Sequence, residues 1–216
     1  MAIGKFIVLE GSEGAGKSTQ VRQLCEYLSL SGQTVWATRE PGGTELAEAI
    51  RDIVIAPRAE VVDPRTELLL MIAARIQHWQ QAILPRLQAG EWVVCDRFID
   101  STLAYQGAGR GLGLQLIHDL HKQLAPEMIA DLVIVLDISF ADAKPRLAAR
   151  GAALDRFEQA DVEFFERVRA QYLQAARQFP SQYVVIDGAQ NAAAVLNAIK
   201  VSVSKLTSVA DILKGS

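Results

Sequence analysis

Nine residues near the N-terminus, Gly11-Ser12-Glu13-Gly14-Ala15-Gly16-Lys17-Ser18-Thr19, have the types and spacing that hold a phosphate chain. They fit the pattern G-x-x-x-x-G-K-[ST], with an apolar strand before it and a helical pattern after it. The glycines let the backbone bend so that successive N–H groups face phosphate oxygens, and the helix adds the positive end of its dipole. Lys17 is expected to neutralise β- and γ-phosphates, and the Ser18 hydroxyl to coordinate Mg2+. Gly11 to Thr19 is therefore the candidate binding segment for a nucleoside triphosphate.

Triphosphate binding alone leaves kinase, switch and motor open. The base-reading Asn-Lys-x-Asp of a GTPase is missing, because the only asparagines, Asn191 and Asn197, begin no such sequence. A motor-type ATPase carries an apolar strand ending in Asp-Glu; here the strand ends Val93-Val94-Cys95-Asp96-Arg97-Phe98. Asp96, on a strand beside the loop strand, can hold Mg2+ or its waters. Arg97 then faces a second phosphate, which is what joining two polyanions requires. A surface ion pair at a strand end is the plainer alternative. A further cluster runs Thr38-Arg39-Glu40-Pro41-Gly42-Gly43-Thr44. Pro-Gly-Gly sets a turn at the carboxyl end of a strand, where open α/β sheets bind ligands, and Thr44 can cap the next helix.

These groups need a frame. Five apolar runs read as strands: Lys5–Glu10, Thr34–Thr38, Trp92–Asp96, Leu132–Asp137 and Tyr183–Asp187. Several are continuous rather than alternating, as in parallel strands covered on both faces. Helical patterns lie between them at Lys17–Leu30, Glu45–Ile55, Arg65–Gln88, Gln115–Leu124, Ala141–Ala149, Ala160–Gln178 and Ala192–Leu206. The alternation predicts an α/β fold: a three-layer α/β/α sandwich on a five-stranded parallel sheet of the P-loop NTPase type. No repeat or Gly/Ser/Pro linker breaks the rhythm, so residues 1–216 are expected to form one domain. The segment 141–159 is its basic lid, with Lys144, Arg146, Arg150 and Arg156 around a Gly-Ala-Ala loop.

Together these motifs make the chain resemble the bacterial thymidylate kinases, nearly end to end. The resemblance is carried by Leu9–Ser18, Thr38–Thr44, Thr66–Arg75, Cys95–Phe98, Ala104-Tyr-Gln-Gly107 and Leu154–Gln159. It implies transfer of the γ-phosphoryl group of Mg·ATP to dTMP. In its terms Arg39, Glu40 and Arg97 serve the dTMP site, with Arg51 nearby. Arg75 and Gln106 read the thymine edge, and Ser101 adds a polar contact near the base. Tyr105 packs against the sugar and penalises a 2′-hydroxyl. Met71 stands where many relatives carry Phe; it covers the base through its polarizable sulfur, or it is simply a buried helix residue. Glu13 lies between donor and acceptor, and Lys17, Glu13, Arg97, Arg150 and Arg156 form the catalytic set. Arg150 and Arg156 are the candidate lid arginines, and Ser18 and Asp96 the metal ligands. The family also implies a homodimer, for which the apolar helix Arg65–Leu87 is the candidate face. Two other readings stay open: a P-loop kinase with a different small acceptor, and an ATP-driven switch that answers to a protein partner.

Composition agrees with a small-molecule enzyme. Half of the 216 residues are apolar, and the formal net charge is −3, from 22 basic and 25 acidic residues. That balance gives no broad hold on a nucleic acid or an anionic membrane. No apolar run approaches the ~20 residues that span a bilayer. Cys25 and Cys95 lack metal-ligand spacing and read as free buried thiols, which suits the cytoplasm. His78, His118 and His121 are assigned surface or packing roles, and Trp36, Trp79 and Trp92 core or interface ones.

Overall fold

The structure, a computed structural model, describes residues 3–149, 157 and 161–214, the last eight of these by backbone alone. Its frame is a five-stranded sheet of β1 (Phe6–Glu10), β2 (Val35–Arg39), β3 (Trp92–Asp96), β4 (Leu132–Asp137) and β5 (Tyr183–Asp187), in the order β2-β3-β1-β4-β5. Every pairing is parallel. The register sets Leu9 beside Asp96 and Arg39 beside Asp96, so the carboxyl ends of β1, β2 and β3 reach the same level. The chain leaves β1 for one flank of the sheet and passes from β3 to β4 on the other. Ligand crevices form at the carboxyl ends of strands around such a reversal.

Strand alternation sorts the core into two layers. Ile7 and Leu9 of β1, with Val94, Ile134 and Leu136, meet Val21, Leu24 and Leu28 of α1 (Lys17–Leu30) and Val195, Ile199 and Val203 of α9 (Ala192–Lys214). Phe6, Val8, Val93, Cys95, Val133 and Val135 face the opposite way. They pack on the helices α3 (Pro64–His78), α4 (Leu84–Gln88) and α8 (Val162–Gln178) and on the segment Leu103–Gly109. Each buried Leu, Ile or Phe contributes about 1.5–3 kcal/mol, so this two-sided core fixes the strand ends on which the chemistry depends.

Local signals set the helix ends. Thr44 caps α2 (Glu45–Ile55) by accepting from Ala47 N at 3.3 Å, and Asp63 caps α3 with Pro64 in its first turn. The helix expected at Arg65–Gln88 is broken in register: α3 ends at His78, a π-helical stretch covers Trp79–Ile83, and α4 follows. Pro85 lacks an N–H, and Leu84 N reaches back five residues to Trp79 O, the wider bond that defines a π turn. A helix that the sequence pattern misses, α5 (Ile99–Thr102), runs on as π-helix through Leu103–Gly109. The remaining helices are α6 (Leu114–Leu124) and α7 (Phe140–Ala149), and α9 runs beyond the expected Leu206. No helix among the described residues is long and apolar enough to cross a membrane.

Candidate active site

A cavity of about 580 Å3 opens over the carboxyl ends of β1 and β3. Glu13, Gly14, Gly16, Lys17, Ser18 and Thr19 line it from one side, and Arg39, Glu40, Arg51, Asp96 and Arg97 from the other. The loop from Gly11 to Gly16 owes its shape to backbone freedom. Gly11 has φ 139°, and a Cβ there would collide with Leu136 O on β4. Lys17 curls over the loop and donates to Gly11 O and Ser12 O, both at 3.0 Å. Burial and the nearby Arg97 push its ammonium below the ordinary lysine range, while Glu13, Asp96 and Glu10 oppose this. A phosphate chain would supply the missing counter-charge.

Ser18 Oγ donates to Asp96 Oδ2 at 2.7 Å, so the two expected metal ligands meet across α1 and β3. Two cis ligands about 2.0–2.1 Å from an octahedral Mg2+ stand roughly 2.9 Å apart, close to this spacing. Among the described residues no three His, Cys, Asp or Glu side chains gather into a cage. A hard oxygen pair beside a phosphate loop is the donor set that suits Mg2+, which takes its other ligands from phosphates and water.

Arg97 occupies the junction. It is the one non-glycine at positive φ among the described residues (φ 72°), a conformation that costs of order 1–3 kcal/mol. The turn aims its guanidinium back across the loop. Nη1 donates to Gly11 O at 3.0 Å, Tyr172 OH at 3.1 Å and Ser101 Oγ at 3.2 Å; Nη2 donates to Glu13 Oε1 and to Tyr105 OH at 3.1 Å. Glu13, on the phosphate-type loop, is thus joined directly to Arg97. Ser101 touches both parts of the cleft: its hydroxyl donates to Glu10 Oε2 at 2.7 Å and accepts from Arg97 Nη1, and the residue also lines the recess beyond Arg97.

Beyond Arg97 the cleft narrows into a recess of about 60 Å3 walled by Pro41, Arg51, Ile55, Met71, Tyr105, Gln106 and Phe157. Met71 is both wall and core, since it packs with Ala47, Ile50, Val54 and Ala74. Tyr105 leans edge-on against Phe157 and Phe164, at 5.7 and 5.9 Å between ring centres. Gln106 is fully buried and its amide is oriented, because Nε2 donates to Glu67 Oε1 at 2.7 Å. Its Oε1 has no hydrogen-bond partner among the described residues. A buried acceptor left unpaired costs about 1–3 kcal/mol, so the recess is poised for a ligand N–H. Arg39 and Arg51 flank the mouth: Arg39 Nη2 pairs with Glu48 Oε2 at 2.8 Å, and Arg51 Nη1 donates to Pro41 O at 3.0 Å.

Arg75, expected at the thymine edge, lies behind the cleft wall. Only 1% exposed, it lines neither cavity. Nε binds Glu40 Oε2 at 2.6 Å, Nη1 binds Thr102 Oγ1 at 2.8 Å and His121 Nε2 at 3.2 Å, and Nη2 binds Phe98 O at 2.8 Å. Glu40 reaches the cavity wall, but its carboxylate is held by Arg75 and, at 3.2 Å, by His78 Nδ1. His78 Nε2 bonds Thr38 Oγ1 at 2.8 Å and sits so close to Gly43, at φ 82°, that a Cβ there would overlap it. His78 and His121 therefore share a buried network behind the site. Burial and Arg75 push His121 down to about 3, which keeps it neutral.

Glu10, Glu67 and Tyr172 line no part of the cleft but bond residues that do, namely Ser101, Gln106 and Arg97, and sequence reasoning misses them. Glu10 reads only as the end of an apolar strand, and Tyr172 only as one residue of an amphipathic helix. Of the basic residues expected to form a lid over 141–159, Lys144 and Arg146 are described; Arg146 donates to Gly188 O at 2.7 Å and Ala189 O at 2.9 Å, fastening α7 to the loop after β5. Arg150, Arg156 and most of the Leu154–Gln159 motif lie outside the described residues. Cys25 and Cys95 are free thiols, Cys95 buried and Cys25 half-buried. Trp79 and Trp92 are buried, and Trp36 lies under the Arg86 guanidinium at 4.0 Å.

The sequence profile of the thymidylate kinase family matches residues 9–199. A thymidylate kinase of Pseudomonas entomophila is 52% identical over 196 residues, covering 91% of this chain and 93% of that one. One of Alcanivorax borkumensis is 49% identical over 187 residues (87% and 89%), and one of Nitrosospira multiformis 45% over 203 residues (94% and 98%). The crystal structure of thymidylate kinase from Ehrlichia chaffeensis superposes with a TM-score of 0.76 at 33% identity, covering 93% of this chain and 98% of that one.

Proposed function

The chain belongs to the thymidylate kinase family, ATP-dependent phosphotransferases that convert dTMP to dTDP, and from that premise we propose how its cleft divides the work. ATP lies on Gly11 to Thr19, with Lys17 on its β- and γ-phosphates. Ser18 and Asp96 would hold Mg2+, which would supply charge neutralisation on the triphosphate. The dTMP phosphate enters between Arg97, Arg39 and Arg51. Its base fills the recess between Met71, Tyr105 and Gln106.

The observation that carries this reading is the unpartnered Oε1 of Gln106. Thymine presents a donor there, the N3–H. Cytosine presents an acceptor at N3, which would leave two acceptors facing each other in a buried site, so dCMP is rejected. Uracil shares the N3–H, and dUMP is separated only by the missing methyl group among Pro41, Ile55 and Met71. One methyl in an apolar recess discriminates by about 10-fold or somewhat more. Tyr105, at the sugar level between recess and phosphate, disfavours a ribonucleotide.

The transfer needs no general base, because the acceptor phosphate oxygen is already anionic. That oxygen forms a bond to the γ-phosphorus as the bond to the β–γ bridging oxygen breaks, and ADP leaves with the electron pair. Lys17 and Arg97 donate to the same carbonyl, Gly11 O, each at 3.0 Å. The donor and acceptor cations are thereby set side by side, which brings two polyanions into line at little reorganisation cost. Glu13 orients Arg97 between them. Arg150 and Arg156 supply the lid charge on the transferring group, in a single catalytic domain with the lid at about 141–159.

The enzyme works in the cytoplasm as a homodimer. The exposed Leu46 and Ile53 of α2, Leu69 of α3 and Leu116 of α6 are the apolar surface that a second copy would cover. ADP release from Mg·ATP, measured with dTMP, dUMP, dCMP, UMP, thymidine and no acceptor, tests the reading. Turnover strongest with dTMP, weaker with dUMP and absent with dCMP and thymidine supports it. Equal rates with dCMP and dTMP would remove Gln106 from its role.

A further inference from the structure

Glu10 is a fully buried carboxylate one residue before the phosphate loop, and neither the donor nor the acceptor contacts proposed above use it. We propose that Glu10 is a positioning residue that sets Arg97 for the acceptor phosphate and locks that arginine to the donor loop. The inference rests on the reading of Arg97 as the ligand of the dTMP phosphate.

The geometry runs through both the backbone and the side chain of Arg97. Arg97 N donates to Leu9 O at 2.9 Å, and the next amide, Phe98 N, donates to Glu10 Oε1 at 2.7 Å. The left-handed residue is thus gripped on both sides by the end of β1. Glu10 Oε1 also accepts from Ser101 N at 3.2 Å, capping the helix that begins at Ile99. Glu10 Oε2 takes the Ser101 hydroxyl at 2.7 Å, and that hydroxyl oxygen in turn accepts from Arg97 Nη1 at 3.2 Å. Tyr172 OH stands 2.8 Å from Ser101 Oγ and accepts from Arg97 Nη1 at 3.1 Å, closing the ring.

No ion pair reaches Glu10 directly among the described residues. Burial raises its proton affinity, and Arg97, across Ser101, is the charge that opposes this most. A carboxylate that served only as a helix cap could do so from solvent. Here it is enclosed in the sheet, one residue from Gly11, whose carbonyl both Lys17 and Arg97 share. A displacement of the donor loop is therefore transmitted to the acceptor arginine, whereas the loop keeps its own fold through Lys17 and its glycines when the arginine shifts.

Glu10→Gln tests this, since it keeps the volume and an oxygen for Phe98 N while removing the charge. Ser101→Ala breaks the link to Arg97 but leaves Glu10 in place, and it decides the question if E10Q does not fold. Arg97→Lys is the control for the underlying site. Calorimetric binding of dTMP and of Mg·ATP, steady-state kinetics and melting temperature are measured for each. The expected result is a 10- to 100-fold loss in dTMP affinity or in kcat/KM for dTMP. Mg·ATP affinity should stay within about twofold and melting within a few degrees.

If E10Q and S101A bind dTMP as wild type while R97K does not, Glu10 has no positioning role and the site reading stands. If R97K also leaves dTMP binding intact, the reading of Arg97 fails and the inference with it. A lowered melting temperature with both substrates weakened equally would make Glu10 a residue of the fold alone, and would overturn the proposal.

Discussion

Replacing Gln106 by leucine should weaken the reaction with dTMP by an amount that the recess itself sets. Gln106 is fully buried, its Nε2 is fixed on Glu67 Oε1 at 2.7 Å, and its Oε1 is unpaired among the described residues. In Q106L the thymine N3–H enters a buried apolar wall with no acceptor. An unpaired buried donor costs about 1–3 kcal/mol, which is roughly 5- to 150-fold in kcat/KM. Glu67 Oε1 loses its 2.7 Å donor and keeps Arg110 Nε at 3.5 Å, so the melting temperature of Q106L is measured beside its kinetics. The assay is a two-by-two comparison of wild type and Q106L with dTMP and N3-methyl-dTMP, which lacks the same N–H from the ligand side. Wild type should lose most of its kcat/KM on methylation, and Q106L should lose clearly less, because the contact is already gone. A folded Q106L with wild-type kcat/KM for dTMP would refute the reasoning. So would a methylation penalty equal in both proteins.

Asp96→Asn should raise the Mg2+ concentration at half-maximal rate by 10-fold or more, because an amide oxygen replaces the one carboxylate beside Ser18; a titration of rate against Mg2+ checks this, and chelation by EDTA should stop the reaction. Arg75→Met should destabilise the protein by about 3–5 kcal/mol in urea denaturation, because Glu40 is left buried without the partner it holds at 2.6 Å. The same variant should raise KM for dTMP, since Glu40 lines the cavity. Asp100, enclosed beside Glu10 and accepting from Tyr183 OH at 2.9 Å, is pushed by burial up to about 7. Its folded form holds a proton that the unfolded chain has already released above about pH 4, so stability falls as pH rises from there to about 7, by up to ~1.4 kcal/mol per unit. Asp100→Asn should flatten that slope in denaturation at pH 5, 6 and 7, and an unchanged slope would contradict it.

Much of this arrangement is legible in the sequence because it is local. Gly11 to Thr19 reads directly, since its chemistry lies in consecutive backbone N–H groups. The apolar runs of β1, β3 and β4 read from composition, and Asp96-Arg97 from its place at a strand end. What escapes is assembled from distant segments. The helix from Ile99 to Gly109 contains two glycines and a threonine, poor helix formers, and is capped by a carboxylate from the neighbouring strand β1, about ninety residues earlier in the chain. His78 and His121 lie on different helices with no shared spacing, and converge only because Glu40 and Arg75 draw them together. Arg75 itself follows a recognisable motif, yet its donors turn inward to Glu40, Thr102 and Phe98. The π stretch at Trp79–Ile83, closed by Leu84 N on Trp79 O, departs from the 3.6-residue period and so leaves no trace in helical periodicity.

A crystal structure of the protein with dTMP, Mg2+ and a non-hydrolysable ATP analogue is the measurement that bears most directly on the division of the cleft. The 5′-phosphate should lie within hydrogen-bond distance of the Arg97 guanidinium, Lys17 should have left Gly11 O for the β- and γ-phosphates, and thymine N3 should sit about 3 Å from Gln106 Oε1. A thymine bound outside the recess, with Gln106 Oε1 still unpaired and Arg97 remote from the phosphate, would contradict it.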